Sequence, residues 1–211
     1  MDFSDIEARG YIPGGGMLSP TGVFYLNIPK NASTFLTNVL AENGWEYHVL
    51  GDHGSNLIKQ FIVVLRDPID RWISGFGTYA ALYILNSHYG SDHYLKDYNV
   101  LTEKFIFDTL IFDDHTTPQS KFVAQLPADK PITYFKLTEK LIPQMGRHTG
   151  RPIIVNDVDD NASDSNYDQK QISAFMRDRI NNDPLRKAQL IERYKSDFNL
   201  ITSVQFYYDP L

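Results

Sequence analysis

Residues 60–65 read QFIVVL, a polar start followed by five apolar side chains in a row, three of them β-branched. A strand wetted on one face alternates polar and apolar positions, whereas an unbroken run needs apolar cover on both faces, as a central strand of a parallel sheet has. The run stops at Arg66. Asp67 then suits a helix N-cap and Pro68 the first helical position, with apolar spacing continuing to about Leu85. A buried strand that runs straight into a helix predicts an α/β chain.

The alternation recurs on either side of that unit. Gly22 to Asn27 (GVFYLN) predicts a short buried strand and Thr34 to Glu42 (TFLTNVLAE) a helix, ending near Asn43-Gly44. Trp45 to Leu50 is a candidate second strand. Asn86 to Asn99 reads as a polar, aromatic surface excursion, and Leu101 to Phe112 as a helix. Ile132 to Phe135 predicts another strand, leading to a helix near Thr138 to Met145. Asp157 to Asp168 holds five aspartates and no basic residue, which reads as an exposed loop. Two helices should close the chain, the first capped by Asp168 with Gln171, the second opened by Asp183-Pro184 and running towards Phe198. The Gly14-Gly15-Gly16 run is the sole low-complexity stretch, and there is no internal repeat. The expectation is one three-layer α/β domain over 1–211, with its core at about 22–200 and a central, mostly parallel sheet flanked by helices.

Composition narrows the function. A formal charge of -6 argues against a nucleic-acid partner, so an anionic ligand needs a local pocket. With no cysteine, disulfides, zinc-thiolate sites and cysteine nucleophiles are excluded. The start, MDFSDIEARGYIPGGGM, lacks the basic end and apolar run of a signal peptide, and no apolar stretch approaches the roughly 20 residues of a membrane span. These features predict a cytoplasmic protein.

Sheets of this kind bind ligands beyond the carboxyl ends of their strands, where two turns stand out. The first, Ile28 to Thr34, brings Lys30 and the hydroxyls of Ser33 and Thr34 to a helix start, whose free amides and positive dipole end suit an anion. The ordinary alternative is that Ser33 caps the helix and Lys30 is solvated. The stretch lacks the G-x-x-x-x-G-K-[ST] spacing of a Walker A loop. In the second, Arg66 leaves the central strand and Ser74 follows about two helical turns later, an arginine fork plus a hydroxyl. Its alternative is that Arg66 pairs with Asp67 or Asp70, and Ser74 packs as a small helix residue.

Together the turns resemble the sulfotransferase family, especially its carbohydrate-type branch. Its I-P-K-x-x-S-T turn is matched at Ile28, Pro29, Lys30, Ser33 and Thr34. Its R-D-P-x-x-R-x-x-S turn is matched at Arg66, Asp67, Pro68, Arg71 and Ser74. Weaker echoes are His115-Thr-Thr-Pro118-Gln119, similar to an H-x-x-P-Q segment, Ile132 to Leu141, and Tyr194 to Leu200. The resemblance spans about Phe24 to Leu200. It implies a P-loop NTPase-like sulfotransferase fold and transfer of sulfonate from 3′-phosphoadenosine 5′-phosphosulfate to a hydroxyl or amine of a carbohydrate or small-molecule acceptor, with no metal.

On that resemblance, Pro29, Lys30, Asn31, Ala32, Ser33 and Thr34 hold the 5′-phosphosulfate, Lys30 also steadying the leaving phosphate. Arg66 and Ser74 hold the 3′-phosphate, and Arg71 braces the turn by pairing with an acid. The family's base often lies between the turns, which makes His53 the first candidate, ahead of His115 and His48. His115 and Gln119 are candidate substrate-side residues, and the acceptor should be shaped by Ser87 to Tyr98 and the DDHTTPQ loop. Two rivals remain: a nucleotide or nucleoside kinase, and a nucleotide-binding module without catalysis.

Overall fold

A computed structural model describes residues 14–51, 56–85, 90–156 and 167–208. In chain order its elements are β1 (Gly15–Leu18), β2 (Val23–Leu26), α1 (Ser33–Glu42), β3 (Glu46–Val49), β4 (Gln60–Leu65) and α2 (Pro68–Tyr79), which continues as a π-helical turn (Ala80–Ile84). There follow α3 (Gly90–Asp97), α4 (Val100–Thr109), α5 (Gln119–Val123), β5 (Ile132–Lys136), α6 (Leu141–Thr149), α7 (Tyr167–Asn181), α8 (Pro184–Arg193) and α9 (Lys195–Ser203). The chain, read from its length as one domain, divides into two compact units. A sheet unit takes the described parts of 12–66, 119–160 and 200–211, and a helical unit those of 67–118 and 161–199.

The sheet unit is an open five-stranded sheet in the order β3-β1-β2-β4-β5. β2, β4 and β5 run parallel, with Phe24 opposite Phe61 and Phe61 opposite Ile132. β4 is an interior strand, paired on both sides and covered on both faces as its apolar run predicts, though the middle position belongs to β2. One face carries Met17, Val23, Tyr25, Ile62, Val64 and Phe135 against α1 and α6. The other carries Leu18, Phe24, Leu26, Phe61, Val63 and Leu65 against Phe122 of α5 and Leu126. Burying a side chain of this size stabilises by about 1.5–3 kcal/mol, so each face is a substantial core of its own.

The expectation of a mostly parallel sheet is corrected to a mixed one, because β1 pairs antiparallel with both β2 and β3. β1 comes from the glycine run. Its use there is close approach: a Cβ on Gly16 would lie 1.9 Å from the Tyr25 carbonyl oxygen, and one on Gly15 2.1 Å from the Tyr47 hydroxyl. Glycine carries little strand propensity, so this pairing is set by contacts rather than by local preference.

In the helical unit, Asp67 caps α2 as expected by accepting the Asp70 amide, and Pro68 opens the helix. Trp72, Ile73 and Phe76 of α2 pack with Ile106 and Phe107 of α4, Ile172, Met176 and Ile180 of α7, and Leu190 of α8. Glu103, buried in α4, is held by Arg179 at 2.7 Å and Arg186 at 2.9 Å. Asp183 caps α8 as expected, but the helix stops at Arg193 and α9 begins at Lys195, so the closing helices are α7, α8 and α9. Asp168 does not cap α7. It lies within the first turn, and its carboxylate accepts the Ser91 amide at 2.6 Å. Of the expected excursion at 86–99, residues 90–97 form α3. Most of the acidic loop, 157–166, lies outside the described residues.

Candidate functional site

Because β2 and β4 are parallel, the turns that follow them leave the same end of the sheet, and side chains tie the two turns together. The Asn31 amide donates to the Ile28 carbonyl at 3.2 Å, closing a turn with Pro29 second and Lys30 third. Lys30 has φ 70, the left-handed value that a type II turn requires at its third position and that glycine usually supplies. Ala32, the N-cap of α1, is also left-handed, with φ 60 and ψ 29. For residues with a Cβ this costs about 1–2 kcal/mol each, and it persists only where the surroundings enforce it.

Asn31 is the enforcing residue. Fully buried, it donates from Nδ2 to the Val64 carbonyl of β4 at 2.8 Å and to Gln119 Oε1 at 2.9 Å. Gln119, also fully buried, accepts the Arg66 amide at 3.3 Å on the same oxygen and donates from Nε2 to the Arg66 carbonyl at 2.8 Å. Arg66 closes the ring by donating from Nη1 to the Lys30 carbonyl at 3.0 Å.

The result is a turn whose backbone is held in place from two sides. No side chain caps α1 and its first turn holds no acid, so Ser33 is not the cap that the ordinary reading offered. Lys30 and Ala32, both left-handed, flank Asn31 immediately before the helix, and the Asn31 amide is spent within the turn. Pro29 and Lys30 are half-buried in that turn and Thr34 is exposed on the first turn of α1. Among the candidates, the structure brings together Lys30, Asn31, Arg66 and Gln119. The side chains of Asn31 and Gln119 are fully buried and brace the turn.

Ser74 and His115 belong to the helical unit. Ser74 is half-buried in α2, and its carbonyl accepts the Thr78 hydroxyl at 3.2 Å. Asp70 lies in close contact with Arg177. Arg71, fully buried, holds the following loop by donating to Thr117 O at 2.5 Å and Asp114 O at 3.3 Å. Gly75 lets that loop close in, since a Cβ there would lie 2.2 Å from the His115 carbonyl oxygen. The Tyr194 hydroxyl donates to Thr116 O as well.

In this loop, His115 Nδ1 lies 2.8 Å from Asp113 Oδ2 and 3.1 Å from Asp114 Oδ1. Hydrogen bonds to Asp113 and Asp114 raise its pKa to about 9 against an opposing burial effect. His115 is therefore an imidazolium at neutral pH and unable to accept a proton there. The ligand atoms of Asp113, Asp114 and His115 lie within 4.8 Å of one another. His48 sits on β3, its Nε2 3.8 Å from Glu46. His53, and Ser87 to Tyr89 of the expected acceptor region, lie outside the described residues.

No family model matches the chain, and neither does any curated protein or solved structure. Among the described residues, no helix is long and apolar enough to cross a membrane.

Proposed function

We propose that the protein is a sulfotransferase that moves sulfonate from 3′-phosphoadenosine 5′-phosphosulfate to an acceptor hydroxyl or amine. One observation carries the reading: a strained, lysine-bearing turn opens an uncapped helix and is held by the arginine of the second turn. A strained backbone enforced by two buried amides is expected where a ligand needs amides aimed in advance.

The donor set fits a phosphosulfate. The amides at the start of α1, with the Ser33 and Thr34 hydroxyls, supply hydrogen bonds to its oxygens, and Lys30 supplies a cation beside a first turn that holds no acid. In the transfer, the sulfur–oxygen bond to the 5′-phosphate breaks as one to the acceptor oxygen or nitrogen forms. The acceptor's proton goes to a base, and Lys30 balances the charge left on the departing phosphate. The resemblance assigns the 3′-phosphate to the turn that begins at Arg66, and the base to His53. The paired aspartates withdraw His115 from the base role at neutral pH. The acceptor is a carbohydrate or a small molecule.

The test begins with calorimetry of 3′-phosphoadenosine 5′-phosphate in the absence of metal. It should bind at least roughly tenfold more tightly than adenosine 5′-monophosphate, the value of one charge-assisted contact. Incubation with labelled donor and an acceptor panel, read by product mass, then tests transfer. Equal affinity for the two nucleotides, or turnover of ATP with magnesium, would defeat the reading.

A further inference from the structure

Gln119 joins the two anion turns at a distance of 88 residues from Asn31 and 53 from Arg66. Each of its contacts does a separate job. Oε1 accepts from Asn31 Nδ2, which fixes the residue between the left-handed Lys30 and Ala32, and also from the Arg66 amide. Nε2 donates to the Arg66 carbonyl, which sets the stem of the guanidinium that reaches Lys30 O. An amide is the neutral side chain that can accept two bonds on one atom and donate from the other; leucine offers neither and glutamate, when ionised, only the first. Full burial keeps water from substituting.

We infer that Gln119 is a positioning residue that holds the Lys30 turn and the Arg66 turn in their anion-binding form as one coupled unit, an inference that rests on the donor-binding reading above. Gln119 touches no ligand itself. Its loss releases Asn31, lets Lys30 and Ala32 relax out of the left-handed region, and frees the Arg66 backbone. Affinity for an anion gripped by the Lys30 turn and affinity for one gripped by Arg66 should therefore fall together.

The experiment titrates the full chain with 3′-phosphoadenosine 5′-phosphate and, separately, with inorganic pyrophosphate, alongside melting curves. Gln119→Leu should weaken both ligands by tenfold or more. Phe122→Leu, on the same short helix and equally buried in the core, should lower the melting temperature and leave both affinities within twofold. Gln119→Glu gives the readout that general destabilisation cannot imitate. Its carboxylate keeps two donors, the Asn31 side chain and the Arg66 amide, and so ionises at alkaline pH; protonated, it can again donate to the Arg66 carbonyl, so the variant's affinity relative to wild type should recover severalfold between pH 8 and pH 5.5. This variant also carries the test if Gln119→Leu does not fold. A wild-type protein that binds neither ligand overturns the donor reading itself. Wild-type binding that Gln119→Leu leaves intact, or a Gln119→Glu ratio that is flat with pH, overturns the inference.

Discussion

Exchanging one NH2 for oxygen at Asn31 probes the core of the site without changing its shape. In the Asn31→Asp variant, the atom that donated to Val64 O at 2.8 Å and Gln119 Oε1 at 2.9 Å becomes an acceptor facing two acceptors, in a position with no exposure. An ionised carboxylate cannot remain there, so the introduced group takes up a proton. Holding it protonated at pH 7 against an unfolded pKa near 3.9 costs about 4 kcal/mol, three units at 1.36 kcal/mol each. The protonated group regains one donor bond and loses the other, adding about 1 kcal/mol. The sum, about 5 kcal/mol at pH 7, is capped by the cost of opening the turn. The folded state holds one proton more than the unfolded state above pH 4, so the variant's stability falls by about 1.4 kcal/mol per pH unit relative to wild type. Urea unfolding at pH 4.5, 6 and 7.5, fitted with a common m-value, measures it. The penalty should shrink towards about 1–2 kcal/mol at pH 4.5. A penalty below 1 kcal/mol at pH 7.5, or one that does not change with pH, would refute the donor role of Nδ2.

Other outcomes follow from the same geometry. Ala32→Gly removes a left-handed Cβ and should stabilise the fold by up to about 1 kcal/mol in urea melts, because glycine adopts that conformation freely. Lys30→Ala should lower single-turnover transfer more than it lowers affinity for the spent cofactor, and Arg66→Ala the reverse; the opposite pattern would reassign the turns. His53→Ala should leave cofactor affinity unchanged and slow transfer by roughly 10²–10⁴-fold, and a wild-type rate in the variant would remove His53 as base. The raised pKa of His115 means that its ion pairs stabilise fully below pH 6.5 and are lost as pH rises through about 9. His115→Gln should thus cost about 1–2 kcal/mol at pH 6 after allowance for its partial exposure, and almost nothing at pH 10, by urea unfolding. Glu103→Gln should cost about 2 kcal/mol at pH 7 by removing the carboxylate that Arg179 and Arg186 share. Burial alone would raise the Glu103 pKa, but the hydrogen bonds from Arg179 and Arg186 hold it low, so the difference should shrink as pH falls through the acid range.

Local chemistry made much of this legible in the sequence. The unbroken run of β4 announced a doubly covered strand, and Asp67-Pro68 and Asp183-Pro184 announced helix starts, since capping and periodicity act within a few residues of chain. Lys30, Arg66 and the hydroxyls of Ser33 and Thr34 were visible as residues at strand ends, and the opposition of Asp113 and Asp114 to His115 lies in adjacent positions. What the sequence could not disclose is held by contacts distant along the chain. The glycine strand β1 packs where a Cβ on Gly16 would collide with the Tyr25 carbonyl, and its antiparallel pairing turns a parallel sheet into a mixed one. The left-handed state of Lys30 and Ala32 opposes local preference and is enforced by Asn31, Val64 and Gln119. A strained conformation of that kind is fixed only when the fold buries both amides and ties them to each other and to the strand end.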